Sequence, residues 1–335
     1  MLTVKSPAKL ILSGEHAVVH GYPALAMAIN RYLEVNISFI TSPRFLFNLK
    51  TLNIELQTDL EKLHKLKNKL YYRYSQYREG NLDIQYVLSR PEELSFFTFI
   101  NFIDHLIHPL QQGIQLIIDS TITMDSGMGS SAANIMGITY ALARLLKLEL
   151  TKNEYFQLGL TAENLQHGSS SGIDICTVLN GGLLYFEKGR MKPRPIPTIT
   201  FQLVQTGARQ STTAECVLHT RPFFAEKNLG PDFAAVTQAL DLALQNNQVT
   251  AIQACIRENH QLLNQVGVVP TKVNNFIHDI EKLGAAAKIC GAGSVRGDNA
   301  GIVLVIGDYD IAPIAKRYHY SIMSSEIDTS GVRQI

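Results

Sequence analysis

Apolar residues recur at Leu60, Leu63, Leu66, Leu70 and Tyr74 with lysines on the other side, so the spacing predicts an amphipathic helix over Leu60–Arg78. Val4–Ser13 and Leu33–Ile40 read as strands, separated by a glycine-bearing loop and the apolar stretch Pro23–Ile29. A further helix is expected over Phe96–Leu110. Gly113–Thr121 then reads as a β run, followed by a Gly/Ser loop and a helix whose Ile135, Ile138, Leu142 and Leu145 recur at helical steps. That order is strand, glycine-rich loop, helix. A helix over Lys152–Gln166 leads into a second Gly/Ser loop, a helical stretch begins at Asp174, and Gly181-Gly182 punctuates the way into a strand at Leu183–Glu187. Pro193, Pro195 and Pro197 mark a boundary, which gives domains 1–190 and 191–335. The second mixes helices (Asp232–Gln245, Val249–Val266, Thr271–Leu283) with strands (Thr200–Gln205, Ile302–Ile306), so both halves are expected to be α+β.

Composition narrows the class of partner. The 335 residues are 46% hydrophobic and 18% charged, which excludes extensive disorder, and the formal charge of +1 gives no overall attraction to nucleic acid or anionic lipid. A small molecule is the expected partner, with no nucleic acid and no membrane. Cys176, Cys216, Cys255 and Cys290 lie far apart without a C-x-x-C pair, which argues against a zinc ribbon, a thioredoxin-like site or a disulfide framework and fits a reducing compartment. The apolar run Leu10-Ile11-Leu12 is too short for a signal-peptide core, and the uncharged window Ser126–Ala143 is too rich in Gly, Ser, Asn and Thr to read as a bilayer span. A cytoplasmic protein is expected.

Four segments carry candidate chemistry. In Asp125-Ser126-Gly127-Met128-Gly129-Ser130-Ser131-Ala132-Ala133, small residues at a helix start expose backbone N–H groups at the positive end of the helix dipole, so phosphate is the natural ligand. The same residues also read as an ordinary Ser-capped helix start, or as the dinucleotide pattern G-x-G-x-x-A, although the short Leu148-Glu149-Leu150 does not supply the strand that pattern requires. The Walker pattern is absent. Glu163 and Asp174 flank His167-Gly168-Ser169-Ser170-Ser171-Gly172, an arrangement that can place a metal-binding acid and a proton-accepting acid in one cleft, or else a charged helix face and an N-cap aspartate. Lys9 sits among apolar neighbours in the first strand and needs a partner, a charged ligand or an exposed edge; Glu15-His16 follow in a glycine-flanked loop. Gly291-Ala292-Gly293 precede a hydrophobic strand, as a turn pressed against another backbone or a ligand, or as a plain hairpin. His105 and His108 stand beside Asp104 without a third ligand and read as a solvent face.

In this order the segments resemble the three signature motifs of the GHMP kinase superfamily, and the resemblance spans nearly the whole chain. Ser6 through Leu25 is most similar to the first motif of the mevalonate kinases, and Glu163 through Asp174 has their spacing; Gln205–Thr212 and Glu258–Leu263 resemble their second-half segments. The resemblance implies a ribosomal-protein-S5-like N-terminal domain, a ferredoxin-like C-terminal domain and an ATP-dependent kinase acting on the 5-hydroxyl of mevalonate in isoprenoid synthesis. It further implies that the loop Gly127, Met128, Gly129, Ser130, Ser131 and Ala132 wraps ATP phosphates, that Ser131 and Glu163 hold Mg²⁺, and that Asp174 accepts the substrate proton beside Lys9. Glu15, His16, Arg209, Gly291, Ala292 and Gly293 would face the acceptor, and a homodimer is common among such enzymes. Two departures stand out: Thr123 and Asp125 replace the usual Pro and Gly of the second motif, and Ser294-Val295-Arg296 interrupt the third. The second echoes phosphomevalonate kinases, with Arg296 either a surface residue or a phosphate ligand. A catalytically silent relative that only senses its ligand keeps the fold without the chemistry.

Overall fold

A computed structural model describes all 335 residues. The larger sheet is built from β1 (Leu2–Ser13), β2 (Ala24–Ile40), β3 (Phe45–Leu49), β4 (Ile54–Thr58), β5 (Gly113–Ser120), β6 (Leu183–Glu187) and β7 (Arg190–Arg194). Its pairings are antiparallel except β3 with β5. Helices α1 (Leu60–Arg78), α2 (Glu93–Ile103), α3 (Ser130–Leu145), α4 (Lys152–His167) and α5 (Ile173–Asn180) belong to the same half. The smaller sheet orders β8 (Phe201–Gly207) between β10 (Gly301–Ile306) and β11 (Ser321–Met323), with β9 (Ala286–Ile289) beyond β10. Helices α6 (Thr213–Ala225), α7 (Gly230–Gln245), α8 (Val249–Gln265), α9 (Thr271–Glu281) and α10 (Ala312–Tyr318) complete that half, and β12 (Arg333–Gln334) returns to the edge of β1. The architecture is two-domain α+β. No helix is long and apolar enough to cross a membrane.

Two expectations change. The apolar stretch Pro23–Ile29 is not a separate element, because Ala24–Ile40 forms one strand of 17 residues. Its first half pairs β1 on one side and β6 on the other and is buried on both faces, which removes the alternation that marks its second half, paired with β5. The helix expected to reach Leu110 stops at Ile103, where eleven successive buried residues end. His105 and His108 therefore lie beyond it, and His105 is bonded locally through Nδ1 to the Asn101 carbonyl at 2.6 Å.

The main core fills the space between the larger sheet and α1–α5, where Phe45, Phe47, Phe96 and Phe99 form a T-shaped set, and runs on into the second half through Leu203 and Leu304 of the smaller sheet, Leu240 of α7 and Ile256 of α8. A second core of 23 buried residues lies against the smaller sheet. A third, small cluster holds Ile11, Val18 and Ile173, beside Lys9 on and around the same strand. The edge of β1 not occupied by β2 meets the loop that starts α3, through Lys9 N–H donating to the Met128 carbonyl at 2.9 Å. That contact sets the site.

Candidate active site

A cleft of about 540 Å³ opens between the two halves and is lined by α3's first turn, the ends of α4 and α5, and residues of α6 and the β9–β10 turn. Its floor is Lys9. The ammonium lies 2.9 Å from Asp174 Oδ2, with the lysine side chain 4% exposed and the aspartate 21% exposed toward the cleft. The lysine thus has the partner its apolar surroundings demand.

The glycine-rich loop is held from both halves. Lys9 N–H takes the Met128 carbonyl, and Ile302 N–H takes the Ser126 carbonyl at 3.0 Å. At Gly129 (φ +73°) a Cβ would come within 2.7 Å of Lys9 Cγ, and at Gly127 (φ +86°) within 2.5 Å of the Cys290 carbonyl oxygen. Only glycine lets the loop pass this close to the lysine and to the Gly291 turn. Gly129 caps α3, and the first N–H to find an acceptor within the helix is that of Ala133, so the N–H groups of Ser130, Ser131 and Ala132 are the free donors of its first turn. An anion is matched by this end of the cleft.

Glu163, near the C-terminus of α4, is buried and accepts a hydrogen bond from Ser170 Oγ through Oε2. Burial and the neighbouring Asp174 carboxylate push its carboxyl up to about 8, against the Ser170 hydrogen bond and Lys9. Burial likewise drives His16 and His167 down to about 4, so both rings are neutral at physiological pH. His16 Nε2 is 3.1 Å from the Ala292 carbonyl oxygen and therefore carries the proton, while Nδ1 faces Thr220 Oγ1 at 3.3 Å. It ties the first motif to the third. Glu15 is buried too, paired with the Lys288 ammonium, which also donates to the Ile11 carbonyl at 3.1 Å. Arg209 Nε donates to the Asp125 carbonyl at 2.9 Å and its guanidinium reaches the cleft; burial lowers its pKa despite the nearby Asp125.

Most of the residues singled out in the sequence converge here: Lys9, Glu15, His16, Gly127 to Ser131, Glu163, Asp174, Arg209, Gly291 and Ala292 all line the cleft. Two do not. The Ala132 side chain points into the main core, leaving only its backbone for a ligand, and Gly293 is turned against Val268, whose carbonyl oxygen a Cβ would approach to 2.2 Å. Arg296 is exposed, outside the cleft and ion-paired with Glu215 on α6. Sequence reasoning did not place the far end of the cleft, where Leu49, Leu52, Ile84, Leu88, Leu94 and Ile118 form an apolar wall beside Asn134, which bonds Ser95 at 2.9 Å. It also missed Lys288, the partner of Glu15. The site thus sets a helix first turn with free N–H donors beside a Lys–Asp pair and an apolar wall.

Residues 97–182 match the family model described as GHMP kinases N terminal domain, a span from α2 to the end of α5 that includes the glycine loop, Glu163 and Asp174. The mevalonate kinase of Pyrococcus horikoshii is 31% identical over 301 residues, covering 86% of this chain and 84% of that protein. This chain belongs to the GHMP kinases. The mevalonate kinase of Thermococcus gammatolerans is also 31% identical, over 86% of this GHMP kinase and 85% of its own length. The fold is shared with the crystal structure of the Methanococcus jannaschii mevalonate kinase, with a TM-score of 0.79 at 23% identity, covering 97% of this chain and 98% of that one.

Proposed function

We propose that this GHMP kinase transfers the γ-phosphoryl group of ATP to the 5-hydroxyl of mevalonate, giving 5-phosphomevalonate and ADP. The observation that carries the reading is the Lys9–Asp174 pair at the foot of the glycine loop, with neutral His16, cationic Arg209 and the apolar residues Ile11, Val18 and Ile173 on the other side. A cationic group for a carboxylate and an apolar wall for a methyl-bearing chain suit mevalonate better than a sugar, whose hydroxyls need many polar partners. The apolar wall from Leu49 to Ile118 suits a purine base, and the free N–H groups of α3 suit the phosphates.

In this reading Asp174 accepts the proton of the attacking hydroxyl as the new O–P bond forms and the bond to ADP breaks. Lys9 holds that carboxylate in place and neutralises charge on the incoming oxygen and the transferred group. Glu163 and the Ser131 hydroxyl are oxygen donors of the kind Mg²⁺ takes, and a carboxyl held neutral by burial gains most from a cation beside it. Mg²⁺ would supply charge neutralisation across the phosphates. The exposed position of Arg296, paired with Glu215, weighs against a phosphorylated acceptor. Four buried, unpaired cysteines support a cytoplasmic setting, and a homodimer is proposed on the family resemblance.

The deciding experiment is ATP consumption with Mg²⁺ and, in turn, mevalonate, 5-phosphomevalonate, galactose and homoserine, with the product identified by mass. Turnover with mevalonate alone is expected. Turnover only with another acceptor would overturn the substrate assignment, and silence on all four would favour a ligand sensor.

A further inference from the structure

The loop between Glu163 and Asp174 is pinned from outside the cleft by a helix that no signature motif includes. Tyr74, on α1, donates its hydroxyl to the Gly168 carbonyl at 2.7 Å. Gly168 closes α4 with φ +80° and lies so near Tyr77 that a Cβ would be 2.3 Å from that hydroxyl oxygen. From there the hydrogen bonds run inward. Asn164 Oδ1 accepts from Ser170 N–H at 2.8 Å, Ser170 Oγ donates to Glu163 Oε2 and accepts from Gly172 N–H at 3.1 Å, and Gly172 caps the helix that presents Asp174. Glu163 Oε1 makes no hydrogen bond within the chain. Its direction is therefore set by Ser170, and the seat of Ser170 is set by a loop whose outer anchor is Tyr74.

We infer that Tyr74 is a positioning residue, which fixes the Gly168–Gly172 loop and thereby the aim of the free Glu163 oxygen into the cleft. The inference rests on the proposed role of Glu163 as a metal ligand. The same α1 packs on the Ile84–Tyr86 turn, whose Ile84 and Gln85 line the far apolar end of the cleft, so one helix buttresses both that apolar wall and the carboxylate loop. Loss of one hydrogen bond with the ring retained leaves packing intact and frees the loop alone.

Tyr74→Phe tests this, with Tyr72→Phe, an exposed residue, as the control. We expect kcat to fall about three- to tenfold, the Mg²⁺ concentration for half-activation to rise, and the ratio of MgADP to metal-free ADP affinity, read by calorimetry, to fall by a similar factor. Gly168→Ala displaces the loop from the Tyr77 side and should move the same ratio further. A Tyr74→Phe protein that melts earlier but keeps the Mg²⁺ dependence and the affinity ratio would make Tyr74 merely structural and overturn the inference. The calorimetric ratio needs no turnover, so it tests Tyr74 even if the wild-type chain is silent with every acceptor, a result that would count against the kinase reading alone.

Discussion

Glu163→Gln should stabilise the metal-free protein, and by an amount that grows with pH. The carboxyl is buried at the edge of the cleft, has one hydrogen-bond donor in Ser170, and lies near the Asp174 carboxylate. In the unfolded chain it ionises near 4.5, whereas in the fold burial and Asp174 hold the proton on up to about 8. Between those values the folded state binds more protons than the unfolded one, so folding stability falls as pH rises, by at most about 1.4 kcal/mol per pH unit. By pH 8 the accumulated loss is of the order of a few kcal/mol, a large share of the ~5–15 kcal/mol that holds an ordinary domain together. Glutamine keeps an oxygen for Ser170 and offers Asp174 an amide, and it has no proton to lose.

Buried histidines tilt the profile the opposite way. His16, His167 and His260 are lowered from 6.5 to about 4, so the unfolded chain binds more protons in that window and stability rises with pH across it. All are present in wild type and variant, and their contribution cancels in the difference. Urea unfolding in EDTA at pH 5, 6, 7 and 8 is the assay. The stability difference between Glu163→Gln and wild type should be smallest at pH 5 and increase steadily toward pH 8, while Mg²⁺-dependent turnover is lost. A difference that is flat from pH 5 to 8 would refute the argument that this carboxyl is kept neutral by its surroundings.

Asp174→Asn should lower kcat by about 10²–10⁴ while calorimetry shows MgADP binding retained, as expected for loss of a proton acceptor. Lys288→Met leaves Glu15 buried without its cation and should cost about 3–5 kcal/mol in urea unfolding at pH 7; the double variant with Glu15→Gln should recover most of that loss. Arg296→Ala removes an exposed pair with Glu215, so stability should change by less than ~1 kcal/mol and the KM for mevalonate should not move. A rise in KM for a phosphorylated acceptor in that variant would reopen the reading the structure disfavours.

What could be read from the chain depended on whether a residue's environment is local. The helix Leu60–Arg78 has the bounds its spacing predicts because one face is buried and the other wet, with Asp59 capping its start. Ala24–Ile40 looked like two elements because burial on both faces erases the two-residue period in its first half. Phe45–Leu49 and Ile54–Thr58, five residues each, are too short to announce themselves, and the apolar wall to which Leu49 and Leu52 belong is made of leucines and isoleucines that carry no chemical signal. Lys288 reads as a polar residue before a turn; only the fold brings it to Glu15, 273 positions earlier, where a buried carboxylate needs it.

The chemistry was legible for a related reason. Lys9, Glu163 and Asp174 each place a charge in or beside a segment that the core would otherwise fill with carbon, and such a charge survives only where another charge or a ligand meets it. Within the fold Lys9 takes Asp174, Glu163 keeps a proton, and Lys288 takes Glu15 in the same way. Of the three arrangements, the Lys288–Glu15 pair is the most deeply buried and ties one half of the molecule to the other. The other two face the cleft, with Asp174 partly exposed, and in the proposed reading they are the ones that a phosphate and its cation would complete.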